Sequence, residues 1–162
     1  MAKGIDNMDD SALALLARAR AWCAAAEQCS PAALLKLRSW GADEDDAEAI
    51  LTALVDEGYI DDSRFARAYC ESKMLRSGWG RLKVLHQLRQ KRLPREAIDE
   101  GMQAVGDEAY RDMLRDTALR KAATVRDADP DVRRRKLTAF LAQRGYTLDE
   151  INETLTNIKQ QL

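Results

Sequence analysis

The chain has 162 residues, 46% apolar and 33% charged, and its formal net charge of −1 conceals 26 basic against 27 acidic side chains. With only eight glycines, three prolines and two phenylalanines, it is rich in residues that lose least on entering a helix and poor in those that favour sheet. The longest apolar stretch is far too short to span a bilayer, and the N-terminus is polar and acidic rather than a secretory leader. Cys23, Cys29 and Cys70 are odd in number and lack CxxC spacing, so the expectation is reduced thiols in a cytoplasmic protein.

In chain order, residues 1–8 read as a tail. A first helix runs from about Asp10 to Glu27, with Leu13, Leu16 and Trp22, padded by Ala17 and Ala21, at helical spacing. Ser30 offers a cap and Pro31 a first helical position for a second helix, which carries Leu34, Leu35 and Leu37 and ends at Gly41. A third opens in the acidic run Asp43 to Asp46, which suits the positive end of a helix dipole, and stops at Gly58 after Ala47, Ile50, Leu51 and Leu54.

The pattern then starts again. Asp9-Asp10-Ser11, followed by Leu13, recurs as Asp61-Asp62-Ser63, followed by Phe65, and Asp107-Glu108 opens a third unit. With Gly41, Arg92 and Gly145 aligned, three apolar columns emerge: Leu37, Leu88 and Leu141; Ala47, Ile98 and Ile151; Leu51, Met102 and Leu155. This repetition predicts an all-α fold of three tandem three-helix repeats, spanning 9–58, 61–106 and 107–162, in an elongated, curved array. A unit of about fifty residues buries too little surface to stand securely alone, so neighbours must share interfaces.

Charge does not repeat with the units. Residues 1–72 carry seven basic and fourteen acidic side chains, whereas 73–95 carry eight basic and no acidic ones. A second basic knot stands at Arg133, Arg134, Arg135 and Lys136. On a helix from Arg81 to Arg92, Leu82, Leu85 and Leu88 define the expected buried stripe, with Lys83, Gln87 and Gln90 opposite. A charge run is usually a solvated face, but the lack of any acidic counterpart gives this one a partner-binding reading, toward phosphates or an acidic protein surface. The expected partner-facing residues are Arg76, Arg81, Lys83 and Lys91, followed by Arg133 and Arg134.

Catalytic constellations are scarce. His86 is the one histidine and has no nearby carboxylate, Gly78-Trp79-Gly80-Arg81 is a turn rather than a phosphate loop, and Asp43-Glu44-Asp45-Asp46 lacks the calcium-loop pattern. No enzymatic activity, cofactor or metal is expected. Tyr59, Phe65 and Tyr69 read as core, while Trp79, between two glycines in the basic segment, is a possible partner contact.

Gly58-Tyr59-Ile60-Asp61-Asp62-Ser63-Arg64-Phe65-Ala66 resembles the G-x-[IL]-[DN]-D-x-R-[FY]-A signature of the RecX family of recombinase regulators. The Gly78-Trp79-Gly80 turn, the Leu88 to Arg92 helix end, Arg135-Lys136-Leu137, Phe140-Leu141 and Arg144-Gly145-Tyr146 are similar to later family blocks. The chain departs from the family at Glu27-Gln28-Cys29-Ser30, where Arg-Glu-His-Ser is frequent, and at Arg92, where Gly is usual. The resemblance implies three tandem three-helix repeats that bind within the groove of the RecA–single-stranded DNA filament and inhibit its strand exchange, ATP hydrolysis and coprotease action; a monomer without cofactor, touching single-stranded DNA weakly if at all, is expected. The alternative is a helical nucleic-acid-binding module acting on DNA directly.

Overall fold

The computed structural model describes residues 3–162. Among them are nine α-helices and no strand: α1 (Asp10–Ala25), α2 (Ser30–Ser39), α3 (Glu44–Asp56), α4 (Asp62–Leu75), α5 (Arg81–Gln90), α6 (Arg95–Ala104), α7 (Asp107–Ala122), α8 (Pro130–Gln143) and α9 (Leu148–Asn157). They form three successive three-helix repeats. The accessible surface of 9873 Å² is about a fifth above the roughly 8100 Å² of a compact chain of 18.2 kDa, as an extended array requires. The segment ahead of α1 packs on the first repeat: Met8 is buried, the turn Ile5–Asn7 lies on α3, and Lys3 Nζ stands 2.6 Å from Asp46.

The helices start where side-chain oxygens meet free backbone N–H groups. Asp9, Asp43 and Asp61 cap α1, α3 and α4, and Thr147 with Glu150 forms a reciprocal capping box on α9. Glycines with positive φ, Gly41, Gly58 and Gly145, stand just past α2, α3 and α8. The column Leu37, Leu88 and Leu141 is buried throughout, as is Ala47, Ile98 and Ile151. In the third column only Leu155 is buried, and Leu51 and Met102 are half-exposed.

Two stripes differ from the expectation. On α1 the buried face is Ala12, Leu16, Ala19 and Cys23, while Leu13, Ala17 and Ala21 are exposed. Small residues line that face because α2 and α3 both pack against it. On α5 the buried face is Val84 and Leu88, and Leu82 is exposed. Here the helix is turned by its contact with the third repeat.

That contact is unusually close. A Cβ on Gly80 would lie 2.1 Å from the carbonyl carbon of Gly145, and one on Gly145 would lie 2.4 Å from Lys83 Cβ. Across this approach the Gly80 N–H donates to Arg144 O at 2.7 Å and the Leu82 N–H to Gly145 O at 3.1 Å. The Arg81 N–H donates to the Tyr110 hydroxyl at 3.0 Å, which donates to Glu150 at 3.1 Å, and the Tyr146 hydroxyl donates to Gly78 O at 3.0 Å. Gly80 supplies no capping side chain, so the first N–H groups of α5 are satisfied by the following repeat.

The same device operates one repeat earlier. The residue flanking the start of α2 is Cys29 rather than the expected Ser30. It makes no side-chain cap, and the Ser30 N–H instead donates to Asp62 at 2.7 Å. Asp61 therefore caps its own helix, while its neighbour Asp62 caps a helix of the preceding repeat. In the third repeat α8 is capped by its own Asp129.

The two junctions are unequal. One continuous core joins the second and third repeats through Met74, Val84, Tyr110, Leu114 and Tyr146. The first repeat has its own core, built on Leu16, Leu37, Ile50 and Leu54, and adds to the larger one chiefly Cys29 and Ala32. At its boundary stand the Ser30–Asp62 bond and an exposed Glu27–Arg64 ion pair of 2.8 Å. Such exposed pairs are worth about 0–1 kcal/mol.

Two outcomes are expected. In urea denaturation, Gly80→Ala and Gly145→Ala should each lose about 3 kcal/mol or more, because backbone atoms must move apart. Gly106→Ala, with nothing within 4 Å of the added Cβ, should change stability by less than about 1 kcal/mol. All three thiols are free and buried. Burial pushes the Cys70 thiol from 9.0 to about 11, leaving roughly a hundredfold less thiolate near neutral pH. A disulfide reagent should therefore modify Cys70 in the native protein far more slowly than in urea, with the native rate still rising as pH climbs toward 11.

Candidate partner-binding face

The basic segment folds into the end of α4, the Gly78–Gly80 turn and all of α5. Phe65, Tyr69 and Lys73 follow one another at four-residue spacing along α4, about 12 Å of helix axis. Phe65 and Tyr69 stack at 6.1 Å between ring centroids. Lys91 Nζ stands over both rings, at 5.9 and 5.6 Å. Lys73 Nζ lies 5.6 Å from the Tyr69 centroid and 4.7 Å from that of Trp79, and Lys83 Nζ covers Trp79 at 4.1 Å. The result is a row, Lys91, Phe65, Tyr69, Lys73, Trp79, Lys83, in which cations alternate with half-buried rings.

The rings pack against the core, as expected of Phe65 and Tyr69, yet they also steady the lysines. A lysine held over an aromatic face gains about 0.5–1 kcal/mol and keeps its charge, so a second anion can still approach the ammonium group. In the sequence Lys73 belongs to the basic segment without standing among the expected contacts, and the two α4 rings read as core alone. The four-residue spacing running into Lys73 was the available signal.

The expected contact residues divide by their present engagements. Arg76 and Lys91 are exposed and Lys83 half-exposed, and none has a carboxylate within 4.0 Å among the described residues. Arg81 is already committed: its guanidinium pairs with Asp107 at 2.7 Å and lies 4.0 Å from the Tyr110 ring centroid. Arg133 is committed too, donating to the carbonyls of Val125 and, at 3.3 Å, Ala122, where it satisfies the C-terminal end of α7. Arg134 is half-exposed and unpaired among the described residues, but it stands on α8 rather than in the row. Lys136 pairs with Asp127. Much of the second basic knot thus holds the third repeat together.

Among the described residues there is no group of three or more His, Cys, Asp and Glu side chains arranged to hold a metal ion, and no helix is long and apolar enough to cross a membrane. His86 is exposed. The largest pKa displacement among the tyrosines is that of Tyr110, raised well above its ordinary value, first by burial and then by the neighbouring Glu150, against a lowering by the Arg81 N–H. Its hydroxyl stays protonated and acts as a structural bridge.

Family models describing the second and third three-helix domains of RecX match residues 61–102 and 108–155. The regulatory protein RecX of Pseudomonas fluorescens is 36% identical over 121 residues, 75% of this chain and 76% of that protein. The regulatory protein RecX of Chlorobaculum tepidum is 33% identical over 120 residues, 74% of this chain and 72% of its own length. A crystal structure of RecX from Lactobacillus salivarius superposes with a TM-score of 0.86, covering 94% of this chain and 99% of that one. At 18% identity this establishes the shared fold. With matched domains in both later repeats and relatives aligned over three quarters of its length, the chain belongs to the RecX family of regulatory proteins.

Proposed function

We propose that the chain is a monomeric, non-enzymatic, cytoplasmic regulator that binds the RecA–single-stranded DNA filament and inhibits its recombinase, ATPase and coprotease activities. The observation that carries this reading, beyond family membership, is the lysine–aromatic row on the second repeat. Its cations are fixed in position and left without carboxylate partners. A molecule with about a fifth more surface than a compact chain offers a long flank for a multi-subunit partner. Binding one filament state more tightly than another would shift the filament's population toward that state, and inhibition follows if the preferred state is the less active one. The proposed contacts are Lys73, Lys83 and Lys91 with Arg76 beside them, and Arg134 as an outlying one.

In an assay of DNA-dependent ATP hydrolysis by RecA, the wild type is expected to slow turnover. Lys73→Glu with Lys83→Glu should raise the concentration for half-inhibition at least about tenfold, with unchanged helical content and melting temperature. Arg81→Glu should instead lower the melting temperature, because it removes a junction contact. Wild-type protein that leaves turnover unaffected at saturation would overturn the reading, and a double variant that inhibits normally would remove the row from the site.

A second reading, direct binding of single-stranded DNA, is favoured by the alternation of rings with cations, which suits stacked bases and tracked phosphates. It requires the protein alone to bind an oligothymidylate, with affinity falling by a factor of salt concentration raised to about 0.7 per phosphate neutralised.

A further inference from the structure

Between the first two repeats lies a groove of about 680 Å³ whose lining includes Pro31, Leu34, Leu35, Lys91, Arg92 and Pro94. Leu35 is 65% exposed, the highest value among the large apolar side chains of the described residues. Its rim is positive. Arg38 is paired with Glu44 at 2.6 Å and Asp62 is engaged by the Ser30 N–H, whereas Lys91 and Arg92 have no carboxylate within 4.0 Å among the described residues.

Arg92 also departs from the internal pattern. It stands two residues past the end of α5 with φ 58°, the one non-glycine with positive φ among the described residues. The aligned positions in the other repeats are Gly41 at 95° and Gly145 at 102°. A left-handed backbone disfavours any L-residue with a Cβ, and glycine would remove that strain. The second repeat keeps an arginine there, at the mouth of an apolar groove, and among the described residues the side chain makes no ion pair or hydrogen bond that offsets the strain.

We propose that this groove docks a short acidic segment of a partner protein, with an apolar side chain seated on Leu34 and Leu35 and carboxylates held by Arg92 and Lys91. Two adjacent cations beside an exposed leucine and two prolines suit an acidic peptide better than a nucleic acid, which would call for stacking rings and a longer track of cations. The proposal concerns a surface apart from the α4 rings and does not depend on which protein supplies the segment. Lys91 lies where the two surfaces meet.

The test uses the full chain and an array of short Asp/Glu peptides, each carrying one Leu, Ile, Phe or Trp, with all-acidic peptides as controls. The wild type is expected to bind apolar-bearing peptides about tenfold more tightly than the controls. Arg92→Gly should melt about 2 °C higher yet bind those peptides about tenfold more weakly, and Leu35→Ala should bind weakly with an unchanged melt. Wild-type binding no better than to the controls, or Arg92→Gly and Leu35→Ala variants that bind like the wild type, would overturn the proposal. So would an oligothymidylate that binds the wild type and is lost equally in both variants, since the groove would then belong to nucleic acid. Inhibition of RecA is not read in this experiment, so its outcome leaves the recombinase proposal to its own test.

Discussion

The structure depends on a debt of hydrogen bonding that the middle helices of the first two repeats cannot settle for themselves. α2 and α5 both begin without a capping side chain, and an exposed helix start of that kind costs about 1 kcal/mol. The following repeat supplies the missing acceptors: Asp62 for α2, and the Gly145 carbonyl with the Tyr110 hydroxyl for α5. Folding of one unit is thereby completed only by docking of the next. This is the nearest-neighbour logic of repeat proteins expressed in individual N–H groups.

From this constraint follows the position of the lysine–aromatic row. Gly80 and Gly145 approach so closely that α5 turns its Val84–Leu88 edge inward and leaves Leu82 outside. Lys83, whose Cβ lies against Gly145, is then directed along the Trp79 ring. The charges of this face are arranged by a contact that itself involves no charge.

Local signals made much of this legible in advance. The columns headed by Leu37 and Ala47 are core because their spacing reflects the helical period, and Asp9, Asp43 and Asp61 are caps because each serves its own helix. What escaped was non-local. Ser30 resembled a cap, but its N–H is satisfied from thirty-two residues away. Arg81 and Arg133 resembled free cations, yet Asp107 and the end of α7 occupy them. On α5, Leu88 and Leu85 meet the core as their spacing indicates, and only Leu82 falls outside, since a leucine at helical spacing says nothing about a glycine in another repeat. Charge runs state composition, while pairing is settled only by the fold.

The unequal junctions give the molecule one weld and one hinge. Parting the last two repeats would strand the Arg81 N–H and the Tyr146 hydroxyl and open a shared core. Swinging the first repeat away would rehydrate one N–H, one carboxylate and an exposed ion pair, and uncover little beyond Cys29 and Ala32. The junction ahead of the second repeat is therefore the less extensively packed of the two. The two Asp residues of the signature stand side by side at the start of α4, one closing its own helix and the other latching the preceding repeat, so the motif serves as the pin of that joint.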